Sequence, residues 1–202
     1  MFLKKFLILS VAAIGLNAQA ANEGGLFVEP SISYELSDAE LKYPSPFNST
    51  EGSLDGFGIG ARVGFHIYES VFIAADGKYT FAKLKDSEND YNADAEYFSL
   101  APVVGFQVPN VGLRVWGGYV LASQVDPDRD QGLDLKFKEG TGFKVGAGFR
   151  IKSVSINLDY QDLTYDKTKI ESLGSFNTNT NSDDIELNNK SYIVSLSFPI
   201  EL

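Results

Sequence analysis

The sequence predicts an all-β chain, an eight-stranded antiparallel up-and-down barrel that turns its apolar side to lipid. Three observations predict it. Apolar and polar residues alternate with period two through eight segments, the pattern of strands with one apolar face. Connections between segments alternate between hairpin-sized turns and long polar stretches. Aromatic residues gather near both ends of the segments, as they do where a barrel wall meets the two faces of a bilayer.

The first 20 residues stand apart. Lys4 and Lys5 precede an apolar run from Phe6 to Leu16, and Ala18-Gln19-Ala20 follows it. That order of basic, apolar and small residues is an export signal with its cleavage site. The run is too short to span a bilayer as a helix. Residues 1–20 are therefore expected to be removed, leaving 21–202 as one barrel domain. No Cys follows the cleavage point, so a lipid-anchored N-terminus is excluded.

Segment one, Leu26 to Leu36, sets Leu26, Val28, Ile32 and Tyr34 against Glu29, Ser31, Ser33 and Glu35. Segment two, Phe57 to Ile67, sets Ile59, Val63 and Phe65 against Gly58, Gly60, Arg62 and His66. Segment three, Val71 to Ala82, sets Ile73, Tyr79 and Phe81 against Asp76, Lys78 and Thr80. Segment four, Tyr97 to Val108, carries Phe98, Leu100, Val104 and Phe106 on its apolar face. Segment five, Val111 to Ala122, sets Leu113, Val115 and Tyr119 against Arg114, Trp116 and Gly118. Segment six, Phe143 to Ile151, has Lys144, Gly146, Gly148 and Arg150 on its polar face. Segment seven, Val154 to Gln161, sets Ile156, Leu158 and Tyr160 against Asn157 and Asp159. Segment eight, Tyr192 to Ile200, has Tyr192, Val194, Leu196 and Phe198 on its apolar face.

The short turns are Tyr68-Glu69-Ser70, Pro109-Asn110 and Lys152-Ser153. The long connections are 37–56, 83–96, 123–142 and 162–191. The last contains an Asn/Thr-rich stretch, Ser175 to Ser182, expected to be mobile. Turn geometry predicts register. Arg62 is expected opposite Asp76, Phe65 opposite Ile73 and His66 opposite Phe72. Trp116 is expected opposite Val103 and Arg114 opposite Gly105, with Asp159 diagonal to Lys144. Pro30 and Pro102 lack a ladder donor, so a bulge or strand-end irregularity is expected at each.

Two features turn the apolar face outward. The interior of an eight-stranded barrel is too narrow to hold nearly every Val, Ile, Leu and Phe of the segments, whereas Gly, Ser, Ala and a few long charged chains fit it. Aromatics form two girdles: Phe65, Tyr68, Phe106, Phe149 and Phe198 toward the short turns, and Tyr34, Phe57, Phe81, Phe98, Tyr119, Phe143, Tyr160 and Tyr192 toward the long connections. The inward set then contains the charges Glu29, Glu35, Arg62, Asp76, Lys78, Arg114, Lys144, Arg150 and Asp159. Their near balance predicts an internal ion-pair plug, with a charge-lined pore as the alternative.

The leader, the eight segments and the four long polar connections resemble the small bacterial outer-membrane barrels of the OmpA, OmpX and opacity-protein type. The resemblance covers essentially the whole mature chain. It implies residence in the outer membrane beside lipid and lipopolysaccharide, insertion by the barrel-assembly machinery, and a non-enzymatic role in envelope structure or surface interaction. The family usually ends in an aromatic residue. Here Phe198 sits four residues before Leu202. No periplasmic domain is expected after segment eight, so peptidoglycan anchoring is not implied.

Composition narrows the chemistry further. The chain has 202 residues, no Cys and one His, so disulfides, thiolate metal sites and a conventional zinc centre are excluded. Net charge is -10 with no basic stripe, which argues against nucleic acid. Beyond the leader no apolar run reaches helix-spanning length. His66 lies beside a short turn with no Ser or Asp placed to use it, so catalysis is not expected there. Asp126, Asp128, Asp130 and Asp134 alternate as in a calcium loop, but Gln131 and Phe137 stand where such a loop needs Gly and Glu. A solvated acidic loop is the better reading, with a loose divalent site as the alternative. No cofactor is implied. The remaining readings are a narrow channel for ions or small hydrophobic solutes, a lipid A-modifying enzyme, and a soluble secreted barrel.

Overall fold

Backbone donors and acceptors inside hydrocarbon must all be paired, so a chain that crosses with strands has to close its sheet. The computed structural model describes residues 25–43, 49–68, 70–86, 92–130, 133–173, 176–182 and 185–202. The expected export signal lies outside the described residues. The strands are β1 (Leu26–Lys42), β2 (Thr50–Tyr68), β3 (Val71–Asp86), β4 (Asn92–Gln107), β5 (Leu113–Val120), β6 (Ala122–Pro127), β7 (Leu133–Ile151), β8 (Val154–Leu173), β9 (Phe176–Ser182), β10 (Glu186–Ser197) and β11 (Ile200–Glu201). β5 and β6 are one barrel strand with a break at Leu121, and β10 and β11 are another with a break at Phe198–Pro199. β9 folds back onto the upper part of β8. The ring is eight strands, all antiparallel, closed by β10 against β1.

The ladder fixes the tilt. It runs from Ser37 through Ser191, Gln161, Lys144, Gly118, Val103, Ala74 and Gly64. It returns to β1 at Phe27, ten residues below its start. At ~3.3 Å per residue and ~4.8 Å between strands, a stagger of that size tilts the strands by about 40°. Outward side chains between the girdles are apolar and exposed, Phe57 at 70% and Ile59 at 57% among them. From Phe57 to Phe65 on β2 the wall rises about 20 Å along the barrel axis, close to the ~25 Å apolar band of an outer-membrane barrel. Both girdles sit where expected. In the upper one, Tyr34 packs edge-on to Phe57 at 4.7 Å and Tyr160 lies 5.3 Å from Tyr192.

Register follows the turns. Arg62 pairs with Asp76, Phe65 with Ile73 and His66 with Phe72. Asp159 pairs with Gly146, one position diagonal to Lys144. The β4–β5 turn differs from expectation: Trp116 pairs with Gly105 and Arg114 with Gln107, each two residues from the expected partner. The cause is a longer turn. Asn110 and Gly112 both take positive φ (64° and 82°), and the Val108 amide donates to the Leu113 carbonyl. A two-residue shift preserves which face each side chain takes, so Trp116 still points inward, where its ring lies over Gly146 and Gly148 of β7. Both prolines sit at irregularities. Beside Ala101–Pro102 the opposite strand carries one extra residue between Gly118 and Ala122, a bulge. The Pro30 carbonyl accepts from the Phe198 amide at the β10–β11 break, where the proline has no N–H to return.

The largest departure lies above the upper girdle. The stretches read as long loops are mostly strand: β1 continues to Lys42, β3 to Asp86 and β8 to Leu173, and β9 occupies the Asn/Thr-rich stretch from Phe176 onward. The ladder continues while the polarity of its faces reverses. On β8, Ile156 and Leu158 face lipid below, whereas Leu163 and Tyr165 face inward above. Leu54, Tyr97, Phe137, Leu163, Tyr165 and Leu187 fill the upper interior as one buried cluster. Outward positions there are charged, and some form cross-strand pairs such as Lys83–Asp94 at 3.1 Å. Glu139, with φ at 55°, is skipped in the pairing, as is Asp166 across from it. This rephases β7 and β8 and turns Phe137 and Thr168 inward. Outside the bilayer the wall meets water, so the apolar residues move to the only dry side available.

Truncating this upper interior is expected to be costly. Leu163→Ala should lose about 2–5 kcal/mol and Phe137→Ala about 3–5 kcal/mol. Lys138→Ala, on the outer face between them in height, should stay within ~0.5 kcal/mol. Urea unfolding in micelles, followed by the single Trp, measures all three.

Candidate functional site: an ion-paired lumen

Period-two geometry sends every second side chain of the membrane band into the lumen, and the residues sent there are ionic. Arg114 is 2% exposed and grips Glu29 with both Nη atoms, at 2.8 and 2.7 Å. Glu29 also accepts from the Ser197 hydroxyl at 2.5 Å. Asn157 donates to Ser197 at 2.8 Å and accepts from Ser155 at 2.9 Å, so a polar chain crosses from β8 to β1.

A second cluster lies one layer higher. Arg62 donates to Asp76 through Nε and Nη2, at 3.0 and 2.7 Å. Lys144 reaches the other Asp76 oxygen at 2.9 Å and Asp159 at 3.8 Å. Asp159 accepts from the Trp116 indole N–H at 2.7 Å. The Arg62 guanidinium lies 4.4 Å from the Trp116 ring centre, a cation–π contact between buried groups. Above it Lys78 pairs with Glu35 at 2.5 Å. Glu29, Arg62, Asp76, Lys78, Lys144 and Asp159 line a small cavity of about 30 Å³, the scale of one or two waters.

The nine lumen charges expected from sequence divide in two. Glu29, Glu35, Arg62, Asp76, Lys78, Arg114, Lys144 and Asp159 all meet inside the membrane band. Arg150 stands apart at the periplasmic mouth, bonded to Glu201 at 2.7 Å. Glu201 was missed, although continuing the alternation past Phe198 and Ile200 turns it inward. With it, the lumen charges among the described residues balance, five carboxylates against five cations. His66 lies at the same mouth, buried against Phe27 (4.8 Å) and Phe72 (5.9 Å), with Nε2 3.7 Å from Glu201. Phe27 was not foreseen as a lumen residue, whereas Phe72 lies inward opposite His66 as the alternation and turn register predict. The cap was not foreseen either: there Gln161 donates to the Tyr97 hydroxyl and Tyr165 shares a 2.8 Å hydrogen bond with Ser123. In the acidic stretch 126–134, Asp126 is held by Lys136 at 2.5 Å. Gln131 and Gly132 lie outside the described residues.

A closed ring of eight tilted strands, greasy outside and ionic within, is the layout of a bacterial outer-membrane barrel. A family model described as an outer membrane protein beta-barrel domain matches residues 6–198. The chain belongs to this family. The protein therefore resides in the outer membrane of a Gram-negative envelope. Among solved structures the fold is similar to the outer membrane protein OprG from Pseudomonas aeruginosa, at 11% identity and TM-score 0.53, over 92% of this chain and 100% of that one. It is also similar to Neisserial surface protein A, at 14% identity and TM-score 0.45, over 86% of this chain and 98% of that one. The attachment invasion locus protein Ail of Yersinia pestis matches at 13% identity and TM-score 0.44, over 85% of this chain and 98% of that one. At such identities the likeness is one of fold. No curated protein matches the sequence.

Breaking one partner of the deepest pair leaves a buried charge alone. Arg114→Ala is expected to cost about 3–5 kcal/mol, and replacing Arg114 and Glu29 together by Met should recover most of it. Arg150→Ala, at the more open mouth, should cost less than Arg114→Ala. Equilibrium unfolding of the three variants checks this order.

Proposed function

We propose that this barrel is a non-enzymatic envelope protein, a closed pillar that acts through its lipid-facing wall and its exposed collar rather than through its lumen. The observation that carries the reading is the double filling of the interior. Paired charges occupy the membrane band, and the apolar cluster around Leu163 and Phe137 occupies the barrel above it. An ion entering from outside would have to cross a dry apolar layer and then displace bonded charges, and both steps are costly.

The lumen charges serve the fold in this reading. A balanced, bonded set lets polar side chains fill a narrow interior without leaving a charge unpaired. His66 supports no catalytic role here. It sits at the periplasmic mouth between two Phe rings, away from the collar where a lipid A head group would lie. Lipid and lipopolysaccharide are the partners of the wall and collar, and the barrel-assembly machinery is the partner during insertion.

Planar-bilayer recordings test the reading against the narrow channel. Purified protein is expected to give no stable single-channel steps, while Arg62→Ala and Arg114→Ala open at most brief ones. Stable steps from the unaltered protein would establish the channel instead. Unchanged lipid A masses on overexpression are expected as well, and a modified lipid A would establish the enzyme.

A further inference from the structure

Below the ionic layer the lumen has a third kind of filling. At the periplasmic mouth Phe27, His66 and Phe72 pack ring against ring. Their centroids are 4.8 Å apart for Phe27–His66, 5.9 Å for His66–Phe72 and 5.8 Å for Phe27–Phe72. Phe27 rests on Gly64 and Phe72 on Gly105, where a Cβ would overlap the ring. All three residues are buried. They close the mouth as an aromatic plug, and one of its members is the single His of the chain.

Of the three, His66 alone can take up a proton near neutral pH. No free carboxylate waits for it. Nδ1 has no hydrogen-bond partner among the described residues, and Nε2 stands 3.7 Å from Glu201, beyond hydrogen-bond reach. The charged groups that face it are Glu201 from β11, Arg150 from β7, Arg114 from β5 and Glu29 from β1. Both carboxylates are already matched. Arg150 bonds Glu201 at 2.7 Å, and Arg114 holds Glu29 through two bonds. A protonated His66 would add a sixth cation to five carboxylates, beside two guanidinium groups. Burying a charge without its own partner is costly, and the two ring contacts return only a fraction of that cost. The backbone around it can give. The β2–β3 ladder shifts register between His66 and Tyr68, the His66 amide is tied to the Gly25 carbonyl at the foot of β1, and β11 pairs with β1 over two residues only.

We infer that Phe27, His66 and Phe72 form a proton-sensitive plug of the periplasmic mouth, closed while His66 is neutral and released when His66 takes a proton and turns to water. The sign follows from linkage. The open mouth, where water solvates the imidazolium, binds the proton more tightly than the closed one. Opening is therefore favoured as pH falls through the ordinary His range, near ~6.5, and suppressed above it. The apolar layer above the membrane band takes no part, so release exposes the Arg114–Glu29 pair to the periplasm without opening a path through the barrel. The plug does not rest on the closed-pillar reading.

Amide hydrogen exchange, read by NMR on the whole barrel in micelles, provides the test. The probes are the His66 amide, bonded to Gly25, and the Leu202 amide, bonded to Leu26. Between pH 7.5 and pH 5 their protection, corrected for intrinsic exchange, is expected to fall about tenfold. Protection at Val103 and Lys144 in the membrane band should stay level. The His66 ring carbons should titrate at least one unit below the same residue in the urea-unfolded chain, a tenfold weaker hold on the proton. His66→Phe, which keeps three rings and cannot titrate, should abolish the pH dependence, and His66→Gln should do the same if the larger ring does not fit. Equal protection at both pH values in the unaltered protein, or the same fall in the variants, would overturn the plug. So would a ring midpoint above that of the unfolded chain, because Glu201 would then hold the proton and acid would tighten the mouth. Either result leaves the conductance recordings, and the closed-pillar reading, to stand or fall separately.

Discussion

A strand that crosses hydrocarbon can leave no backbone donor or acceptor unpaired, and no sheet edge open. The rest of this structure follows from that constraint. Closure needs a ring, and eight strands with a stagger of ten make a ring too narrow for two layers of large side chains. Alternation along each strand then separates the residues by solvent. The large apolar ones go to lipid, and the small and ionic ones go within. Once carboxylates and cations are committed to a dry lumen, each must find a partner. The bidentate Arg114–Glu29 pair and the Asp76 oxygens shared by Arg62 and Lys144 are the result.

The same rule explains why the barrel changes character above the upper girdle. There the outside is water, so keeping Leu163 or Phe137 outward would gain nothing. The backbone ladder runs on, but the apolar residues now fill the interior and the charges ring the outside. The lower half is a membrane barrel with an ionic core, and the upper half is built like a soluble barrel with an oily core. The boundary between them, near Gln161 on β8 and Ser37 on β1, marks where the bilayer ends. It also gives the lumen two dissimilar barriers in series, which is why a closed pillar is the reading the interior supports.

Much of the membrane band was legible from residue order, because one pattern persists there. Ile156, Leu158 and Tyr160 alternate with Asn157, Asp159 and Gln161, and the turn between Tyr68 and Val71 sets the Arg62–Asp76 pairing. The upper half was not read as strand because the alternation changes sign there. Leu163 and Tyr165 keep the parity of Asp159 yet carry the opposite chemistry, so a search for outward apolar residues sees only a polar loop. The skipped pair Glu139 and Asp166 hides β7 and β8 further by shifting the phase. The charged lumen residues were legible because long charged chains on a glycine-rich face have few other uses. Glu201 was missed because Pro199 interrupts the pattern, and Phe27 because an inward aromatic breaks it.

The reversal of faces along one unbroken strand is the central claim, and the absence of native Cys allows it to be read directly. Single Cys residues are placed along β8 from Ser155 to Thr168, each is spin-labelled in a bilayer, and relaxation by oxygen is compared with relaxation by a water-soluble nickel complex. Labels at positions 156 and 158 should respond to oxygen and that at 166 to nickel, while labels at 163 and 165 respond weakly to both. An oxygen-dominated response at 163 and 165, continuing the lipid-facing pattern upward, would contradict the account.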